Sequence, residues 1–420
     1  MPLQEAPLSP RQTITVILAG GRGTRLEGLT EQMSKPGLDF GGQFKIIDFA
    51  LSNCVNSGFR RVMVLTQYSA HRLIEHLQLG WGFLSGRLNE FVHVYPAEQS
   101  KDQDAWYQGT ADAVYQNLPN IMSFAPRNVL VLAGDHVYRM DYRAFLQDHL
   151  ATEADLTIAC VEVPKEEASG FGIVQVDGQD RIVGFQEKPA APSTIPGRPD
   201  RAFASMGIYL FKAGFLYDQL KRDSRELMSS HDFGKDLIPF AVQAGARVVA
   251  HRFAQGSVPN AVGDPYWRDV GTLDAFWEAN MDLTRHRPPM DLYDSAWPIF
   301  THMEQLPPAK LIHSELESSG GSYESVVATG CVLESAHVAG ALLSSSVHMR
   351  PHSRVEQAIV LPDVDIGEGA RIRRAVVARG CRIPPGLVVG EDPEKDAKRF
   401  FRTRKGITLV TPRLLQQHFA

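Results

Sequence analysis

The first two thirds of the chain alternate short apolar runs with amphipathic stretches. Six of these runs are rich in Val, Ile and Leu and end at turn residues, which is the pattern of buried strands. They span residues 14–20, 61–68, 91–97, 128–136, 154–163 and 207–211. Segments between the first of them, such as 46–58 and 71–80, have the apolar spacing of helices. Strands alternating with helices predict a doubly wound α/β domain with a mostly parallel sheet and with binding sites at the carboxyl ends of its strands.

The last part of the chain follows a different period. Val or Ile recurs every six residues in three sets, which are Val332 and Val338; Val360, Ile366 and Ile372; and Val377, Ile383 and Val389. A six-residue apolar repeat with glycine in the turns predicts a parallel β-helix, with one inward side chain per hexapeptide. The register slips between 338 and 360, so imperfect coils are expected there. A β-sandwich is the alternative, and the sixfold spacing disfavours it.

A proline-bearing segment separates the two patterns. Paired prolines at 288–289 and 307–308 bracket it, and such composition predicts an extended linker between domains. We therefore expect a catalytic domain at 1–285, a linker at 286–310 and a β-helix domain at 311–420. A length of 420 residues suits two or three domains.

Composition narrows the possible partners and compartments. A formal net charge of −5 gives no basic excess for nucleic acid to bind. Four widely spaced cysteines without a C-x-x-C pair indicate reduced thiols rather than a zinc site or a disulfide framework. Residues 1–12 lack a secretory pattern, and no apolar run approaches the ~20 residues of a membrane span. We expect a cytoplasmic protein without membrane or nucleic-acid partners.

A glycine-rich turn, AGGRGTRL, follows the first predicted strand. Backbone N–H groups around Gly20, Gly21 and Gly23 can form an anion-binding concavity, and Arg22 and Arg25 add permanent positive charge. The segment matches neither the Walker loop nor the dinucleotide fingerprint. It therefore indicates a phosphate-binding site but does not identify the ligand. An ordinary glycine turn with exposed arginines remains the alternative.

Further motifs downstream identify a family resemblance. The pattern G-G-x-G-[TS]-R-L followed by the K-P pair at Lys35 resembles sugar-1-phosphate nucleotidylyltransferases, which share a Rossmann-like fold. Longer motifs then resemble the glucose-1-phosphate adenylyltransferase family, in that family's order. They lie at 40–62, 106–117, 132–142, 169–177, 187–190, 204–211, 231–239 and 265–280. The family also has a C-terminal left-handed β-helix, which agrees with the six-residue repeat.

The resemblance implies a specific reaction. The adenylyl group of ATP would pass to glucose 1-phosphate, giving ADP-glucose and pyrophosphate for glycogen (alpha-1,4-glucan) biosynthesis. The attacking phosphate is already an anion at pH 7, so the chemistry requires positioning and charge neutralisation rather than a strong general base. The resemblance further implies a homotetramer, Mg²⁺ as the cofactor and allosteric control by central-carbon metabolites.

The resemblance also assigns roles to individual residues. The expected catalytic residues are Arg25, Lys35 and Asp135. The nucleotide would contact Leu18, Ala19, Gly20, Gly21, Gly23, Thr24, Gln67, Tyr107, Gly109 and Thr110. Glucose 1-phosphate would contact Gly172, Glu187, Lys188 and Ser205. Asp135 and Asp269 would hold Mg²⁺, which takes one or two carboxylates together with phosphate oxygens.

Local alternatives exist for several of these residues. Asp135 could simply cap a helix, because aspartate is a favoured N-cap residue, and Asp269 could be a turn residue. Lys188 and Glu187 could form a surface ion pair. Asp48, Asn53 and Asp112 are expected to support the site or to be structural.

The regulatory residues depart from the enteric-type relatives. Basic residues that precede the K-P pair there are replaced here by Gln32 and Met33, Asp39 stands at their histidine, and Arg413 is the one basic residue of TPRLLQQHFA. A doubly charged activator such as fructose 1,6-bisphosphate is therefore disfavoured, and fructose 6-phosphate or pyruvate is expected. The candidate anion ligands are Lys45, Arg379, Arg399 and Arg402.

Three rival hypotheses make different predictions. A catalytically silent regulatory subunit should have lost phosphate and metal residues, which are all present. A bifunctional uridylyltransferase with an acyltransferase β-helix would need a longer hexapeptide region and would use UTP. A sugar-nucleotide-binding scaffold would release no pyrophosphate from ATP and glucose 1-phosphate.

Overall fold

A computed structural model describes residues 10–21, 23–31, 33–97, 106–259, 263, 265–312 and 321–419. A mixed sheet of nine strands forms the centre of the N-terminal domain. The strands of this domain are β1 (Thr13–Ala19), β2 (Asp39–Phe40), β3 (Phe44–Lys45), β4 (Arg61–Thr66), β5 (Phe91–Pro96), β6 (Asn128–Ala133), β7 (His136–Tyr138), β8 (Leu156–Pro164), β9 (Gly172–Val176), β10 (Ile182–Glu187), β11 (Arg201–Lys212), β12 (Val248–Arg252) and β13 (Trp267–Asp269). Two short ladders, β2 with β3 and β7 with β13, lie outside the main sheet.

The sheet order places the end of β1 at a crevice. The order is β10-β9-β11-β6-β1-β4-β5, with β8 paired to β11 and β12 paired to β8. Strands β6, β1, β4 and β5 run parallel, as expected from the alternating pattern. Strand β11 runs antiparallel to β6, β8 and β9. Strand β4 pairs with β1 on one side, and β6 pairs with it on the other. The order of the strands therefore reverses at β1, and ligands bind such sheets at the carboxyl ends of the strands where the order reverses.

Helices cover both faces of the sheet. They are α1 (Ile46–Asn56), α2 (His71–Gly80), α3 (Thr110–Gln116), α4 (Leu118–Ser123), α5 (Tyr142–Ala151), α6 (Ala213–Asp223), α7 (Ile238–Gln243), α8 (Phe253–Gly256) and α9 (Leu273–Asp282). Short 3₁₀ segments occupy Pro10–Gln12, Thr24–Thr30, Lys35–Gly37, Gly86–Leu88 and Ala168–Gly170, and a π-helical turn occupies Phe233–Leu237. Among the described helices, none combines the length and apolar composition that a membrane crossing requires.

Strand β1 shows why its sequence is mostly apolar. Ile14 and Val16 belong to the apolar cluster on one face of the sheet, whereas Ile17 and Ala19 belong to the cluster on the other face. Successive side chains of a strand point to opposite faces, so a strand covered on both sides needs apolar residues at every position.

The C-terminal domain is a parallel β-helix, so the predicted fold class is confirmed. Its strands are β14 (Lys310–Ile312), β15 (Gly321–Tyr323), β16 (Val326–Val327), β17 (Val332–Glu334), β18 (His337–Ala339), β19 (Leu342–Leu343), β20 (His348–Met349), β21 (Arg354–Glu356), β22 (Ile359–Val360), β23 (Asp365–Ile366), β24 (Arg371–Arg373), β25 (Ala375–Val377), β26 (Arg382–Ile383), β27 (Val388–Val389), β28 (Phe401–Arg402) and β29 (Thr408–Val410). They form three sheets, one along each side of the coil. Two helices, α10 (Pro393–Arg399) and α11 (Pro412–Phe419), close this end.

The coil repeat explains the slip in the sequence pattern. Ile366 pairs with Met349 and with Ile383, each 17 residues away rather than 18. A 17-residue coil has one five-residue step, as between the buried residues Val355 and Val360, whereas the shorter coil from Leu333 to Met349 has two such steps. The strict hexapeptide expectation was wrong at Val332, because Leu333 is the buried residue on that side and Val332 is half-buried.

The segment between the two domains lies along α1. Trp297 Nε1 donates a hydrogen bond to Asn53 Oδ1 at 2.9 Å, and the Phe300 amide donates to Ser52 Oγ at 2.8 Å. Asn53 Nδ2 also donates to the Tyr138 carbonyl at 3.1 Å. These bonds give Asn53 a structural role, because it ties α1 to β7 and to the connecting segment at once.

Asp48 is a second buried link between these parts. Its carboxylate is fully buried and accepts hydrogen bonds from Trp81 Nε1 at 3.1 Å and from Thr301 Oγ1 at 2.7 Å. It also lies 2.7 Å from His76 Nε2 and caps α1 through the Lys45 amide. A buried carboxylate is tolerated where its oxygens are all satisfied, and here those partners join α1, α2 and the connecting segment.

The two domains share one apolar core. A single cluster of buried residues includes Phe49 and Phe276 of the N-terminal domain together with Leu342 and Val360 of the β-helix. Polar contacts frame it, as where Trp277 Nε1 donates to the Gln357 carbonyl at 2.9 Å. The β-helix is therefore in direct contact with the elements that follow the glycine turn.

His149 provides a pH-dependent contribution to stability. Its Nδ1 lies 2.8 Å from Thr157 Oγ1, and burial, assisted by the charge of Lys212, lowers the pKa of His149 to about 4. The unfolded chain takes up this proton near pH 6.5, so the stabilisation is present above that pH and is lost as pH falls toward 4.

We predict that the free energy of unfolding falls by about 3 kcal/mol over this window through His149. A His149→Asn variant, which retains a polar atom near Thr157, should show a shallower pH dependence in urea denaturation. The exposed control His286→Asn should follow the unmodified protein. Equal slopes for all three proteins would contradict the assignment.

Candidate active site

The glycine turn approaches its neighbours too closely for side chains. Gly23 adopts φ 62°, and a Cβ there would lie 3.1 Å from Lys35 Cβ. A Cβ on Gly20 would lie 3.1 Å from Gln67 Cβ. Glycine tolerates both the positive φ and the close approach because it has no Cβ. Arg22, for which the sequence left a role in phosphate binding, regulation or neither, lies outside the described residues.

A cavity of about 340 Å³ opens beside this turn. Its lining includes most of the expected nucleotide contacts and two of the expected catalytic residues, which are Leu18, Gly20, Gly21, Lys35, Gln67, Tyr107, Gly109, Thr110 and Asp135. It also includes residues that the sequence did not indicate, which are Pro36, Leu65, Gln108, Ala113, Ala133 and Asp232. Ala19, Gly23 and Thr24 were expected at the nucleotide but do not belong to this lining.

Lys35 lies between the two expected metal ligands. Its Nζ is 2.9 Å from Asp135 Oδ2 and 2.8 Å from Asp269 Oδ1, and the lysine is 5% exposed. Burial alone would lower the pKa of Lys35, but the two carboxylates outweigh it and raise that pKa. In turn, burial would raise the pKa of Asp135, and the Lys35 charge reverses the effect and lowers it. Lys35 and Asp135 therefore stay charged at neutral pH.

A short ladder brings Asp269 to Asp135. Strand β13 pairs antiparallel with β7, and Asp269 stands directly opposite His136. His136 Nε2 lies 3.5 Å from Asp135 Oδ1 and 3.9 Å from Asp269 Oδ1. In the described part of the chain these three residues offer donor atoms within 4.8 Å of one another, so the set fits a divalent cation. The sequence indicated Asp135 and Asp269 and missed His136, although it stands in the same AGDH motif.

The expected glucose 1-phosphate contacts form a second group. Gly172 pairs with Glu187 across β9 and β10, and a Cβ on Gly172 would lie 2.9 Å from Glu187 Oε2. Lys188 Nζ lies 3.2 Å from Glu187 Oε1. Lys188 has φ 47°, a left-handed conformation that strains a non-glycine residue and concentrates at binding sites. Ser205 Oγ donates to Tyr209 Oη at 3.4 Å on β11.

The turn that begins at Asp232 connects the two groups. Asp232 lines the cavity and accepts a hydrogen bond from Thr110 Oγ1 at 2.9 Å. A Cβ on Gly234, two residues later, would lie 2.7 Å from Glu187 Oε2. Both residues lie in the quoted motif HDFGKDLIP, whose presence was the available signal for them.

The same turn explains why position 109 must be glycine. A Cβ at Gly109 would lie 2.2 Å from the His231 carbonyl oxygen. That oxygen accepts from the Ala111 and Asp112 amides at 2.8 and 3.2 Å, which satisfies the first turn of α3. Gly109 is thus required for packing at the cavity wall. Asp112 Oδ2 accepts from the Gln108 amide at 2.9 Å and holds the same wall in place.

Arg25 lies beside the metal-ligand group rather than in the cavity lining. Its side chain is exposed. A Cβ on Gly271 would lie 2.9 Å from both Arg25 Nη2 and Asp269 Oδ1. The guanidinium is therefore placed next to the carboxylate pair, where it can meet an anion held there.

The expected regulatory cations separate into two places. Lys45 Nζ and Arg379 Nη2 both bind Asp39 Oδ1, at 2.5 and 3.1 Å. Arg399 instead donates to Asp396 and to the Val388 carbonyl on α10 and β27. Arg402 lies on β28, where it borders Gly406.

The charge arrangement suits a bound polyanion. Lys35 and the glycine turn line the cavity together with Asp135, and the Asp135 and Asp269 carboxylates that Lys35 contacts are suited to a metal ion. Preorganised charges of this kind stabilise the transition states of phosphoryl and nucleotidyl transfer.

Comparisons with known proteins agree along the whole chain. The family model described as nucleotidyl transferase matches residues 14–286, and the model described as GlmU-like, C-terminal hexapeptide matches residues 307–410. A glucose-1-phosphate adenylyltransferase of Nitrosospira multiformis is 54% identical over 407 residues, covering 97% of this chain and 95% of the relative. Proteins of the same name from Dechloromonas aromatica and Rhodospirillum rubrum are 53% and 54% identical and cover 97% and 96% of this chain, and 92% and 95% of the relatives themselves.

We predict that Lys35→Met lowers the free energy of unfolding by about 2 kcal/mol at pH 7. Removing one partner of a fully buried ion pair costs about 3–5 kcal/mol, and the carboxylates here are partly exposed. This loss of unfolding free energy should shrink below about pH 4. Lys35 stabilises the charged form of Asp135, and protonation of Asp135 in the variant removes its repulsion with Asp269.

Urea denaturation at pH 7 and pH 4 measures this effect. The control Lys405→Met removes an exposed pair with Glu278 at 2.8 Å and should cost little. The double variant Lys35→Met/Asp269→Asn should recover part of the loss. A Lys35→Met protein as stable as the control would overturn the assigned coupling.

Proposed function

The chain belongs to the glucose-1-phosphate adenylyltransferase family, and from this premise we propose how its residues divide the reaction. The protein is a nucleotidyltransferase that transfers the adenylyl group of ATP to glucose 1-phosphate, giving ADP-glucose and pyrophosphate. ADP-glucose is the glucosyl donor for glycogen synthesis. The observation that carries the proposed roles is the buried Lys35 between Asp135 and Asp269, at the mouth of the glycine-turn cavity.

The cavity beside the glycine turn is the proposed nucleotide site. Gln67 and Tyr107 lie on its wall beside Gly20 and Gly109, where they would contact the base. The N–H groups of the glycine turn, with Lys35 and Arg25, would neutralise the phosphates. Such groups need no proton transfer, because the charge they face develops on phosphate oxygens.

The cofactor of the family is a divalent metal, and we propose that it is Mg²⁺ here. Asp135 and Asp269 would hold it, and their side chains are 35% and 20% exposed. When bound, the ion would neutralise phosphate charge and orient the triphosphate. Lys35 would hold the two carboxylates together and keep Asp135 ionised before the ion arrives.

The second group of residues is the proposed glucose 1-phosphate site. Lys188 would bind the phosphate, and Glu187, Ser205 and Gly172 would contact the sugar. The turn at Asp232 and Gly234 joins this group to the nucleotide cavity. A phosphate oxygen of glucose 1-phosphate would then form a bond to the α-phosphorus, while the bond from that phosphorus to the bridging oxygen of pyrophosphate breaks.

Control by a central-carbon metabolite is proposed at the contact between the domains. Lys45 and Arg379 meet there, and Asp39 is bound to both. Burial would raise the pKa of Asp39, but Lys45 and Arg379 lower it, so the carboxylate is charged. An internal anion thus competes with any external one, which favours a weakly held monophosphate or carboxylate such as fructose 6-phosphate or pyruvate over a bisphosphate.

Three further expectations remain proposals. We propose division into a catalytic domain at 1–285, a linker at 286–310 and a regulatory β-helix at 311–420. We also propose a homotetramer, supported by the apolar residues Leu311, Ile312 and Tyr323 that the first coil of the β-helix exposes. A cytoplasmic location is proposed from the metabolites involved.

We predict that Arg25→Ala lowers kcat for pyrophosphate release by about 10²–10³, the usual cost of one preorganised electrostatic donor. The exposed position of Arg25 predicts an unchanged circular dichroism spectrum. The matched control Arg143→Ala removes an exposed arginine that is paired with Asp141, away from the cavity. Near-normal turnover of the Arg25→Ala protein, or equal use of UTP and ATP, would count against the proposed site.

We predict that Asp39→Asn lowers the half-activating concentration of fructose 6-phosphate or pyruvate by about tenfold. Loss of the carboxylate removes the partner that binds Lys45 and one of the two carboxylates that bind Arg379, and an external anion can compensate this lost charge. Initial rates over a metabolite series measure the shift. Thermal unfolding should also become more responsive to added phosphate, because a ligand of the folded state stabilises it.

The control for this experiment is Asp363→Asn. Asp363 also pairs with Arg379, through Nη1, but the Asp363 side chain is exposed. Removing the Asp363 charge should therefore leave the effector response nearly unchanged. Identical effector curves for Asp39→Asn and Asp363→Asn would exclude Asp39 as the internal competitor.

A further inference from the structure

We infer that His136 is a third protein ligand of the divalent cation, through Nε2. This inference rests on the proposed metal role of Asp135 and Asp269. His136 follows Asp135 in the chain and faces Asp269 across the β7–β13 ladder, so its imidazole meets both carboxylates. Directly opposite residues on an antiparallel pair project their side chains on the same face, which makes this placement a product of the ladder rather than of a loose loop.

The backbone fixes which nitrogen faces the carboxylates. Nδ1 of His136 lies 3.1 Å from the Met206 carbonyl oxygen, and a carbonyl can only accept, so Nδ1 carries the proton. In the neutral ring Nε2 then has the free lone pair. Metal-bound histidines usually have this arrangement, in which the second ring nitrogen donates to a carbonyl or carboxylate.

The ring is also held sterically. β11 bulges between Ser205 and Tyr209, which leaves the Met206 carbonyl free of its ladder. Gly207, within the bulge, has φ 67°, and a Cβ there would lie 3.5 Å from Cε1 of His136. Trp267 packs its ring at 73° to the imidazole, with centroids 5.1 Å apart. A bulge beside a site commonly re-aims a group toward it, and here it aims a carbonyl at His136.

A purely ionic role for His136 is less suited to this geometry. Lys35 already occupies Asp135 Oδ2 and Asp269 Oδ1 at hydrogen-bond distance. Nε2 is 3.5 and 3.9 Å from the nearest carboxylate oxygens, too long for hydrogen bonds. Those separations do suit donor atoms that share one cation, because ligands about 2.1 Å from a metal lie roughly 3–4 Å apart.

A nitrogen ligand has a consequence for metal preference. Carboxylate and water ligands suit Mg²⁺, whereas imidazole suits the first-row transition metals. We therefore expect this site to bind Mn²⁺ more tightly than Mg²⁺, and to lose that preference when Nε2 is removed.

Pulsed electron paramagnetic resonance of bound Mn²⁺ tests the ligand directly. The full chain would be loaded with Mn²⁺ and pyrophosphate, which contains no nitrogen, so that any ¹⁴N modulation of the echo comes from the protein. Protein grown with ¹⁵N-labelled histidine should replace the ¹⁴N pattern with a ¹⁵N pattern. Titration of free Mn²⁺ by its room-temperature signal measures affinity in the same samples.

Two variants at one position separate ligation from packing. His136→Asn keeps a donor near the Nδ1 position for Met206 and removes the atom at Nε2. It should abolish the nitrogen modulation and weaken Mn²⁺ binding at least about tenfold, the minimum cost of disturbing a metal's shell. His136→Gln places an amide oxygen near the Nε2 position and should recover Mg²⁺ binding without restoring the modulation. His348→Gln, in the β-helix, is the control and should retain the modulation.

The outcomes distinguish this inference from the proposed metal site. Tight Mn²⁺ binding without histidine modulation in the unmodified protein would overturn the role of His136 and leave the carboxylate site standing. Mn²⁺ affinity unchanged by Asp269→Asn would overturn the carboxylate site itself. Modulation retained in His136→Asn would assign the nitrogen to another histidine and also exclude His136.

Discussion

The ion group of Lys35, Asp135 and Asp269 is the constraint on which the rest of the site depends. Two carboxylates, one from the turn between β6 and β7 and one from β13, would repel each other in a half-buried cleft, and a buried ammonium 2.8–2.9 Å from each holds them together. The same lysine packs against Gly23, so the glycine turn can lie where it does because no side chain stands there. The glycine turn and the carboxylate pair are thus both in contact with one residue.

That lysine is in turn positioned from the β-helix side. Four residues beyond it, Asp39 binds Arg379 of the β-helix together with Lys45. Lys45 begins α1, whose buried Asp48 and Asn53 hold α2, β7 and the connecting segment. Because β7 carries His136, a displacement at the domain contact has a short physical route to the metal-ligand group. Such a route supplies coupling only if the contact has two arrangements that an effector distinguishes.

Several features of fold and site could be predicted from local pattern. The runs that became β1, β4 and β6 are mostly apolar, without strict alternation, because both faces of the sheet are covered. The Pro-bearing segment and the hexapeptide period were visible for the same reason, since composition and spacing reflect burial directly. The prediction failed at Val332, because a five-residue step from Leu333 to Val338 changes which residue points inward at that side of the coil. Arg399 and Arg402 could not be separated from Arg379 by sequence, because all four candidate cations have the same local character.

The sequence by itself determined the family, the reaction, the α/β and β-helix architecture, and most of the residues at the cavity, because ordered motifs and local periods carry that information. Only the tertiary structure decided that Lys35 is buried between two carboxylates, that Asp39 binds both Lys45 and Arg379, and that His136 faces Asp269. The physical reason is distance along the chain. Each of these contacts joins segments that meet only after the β7–β13 ladder and the domain contact have formed, and no local spacing encodes such a meeting.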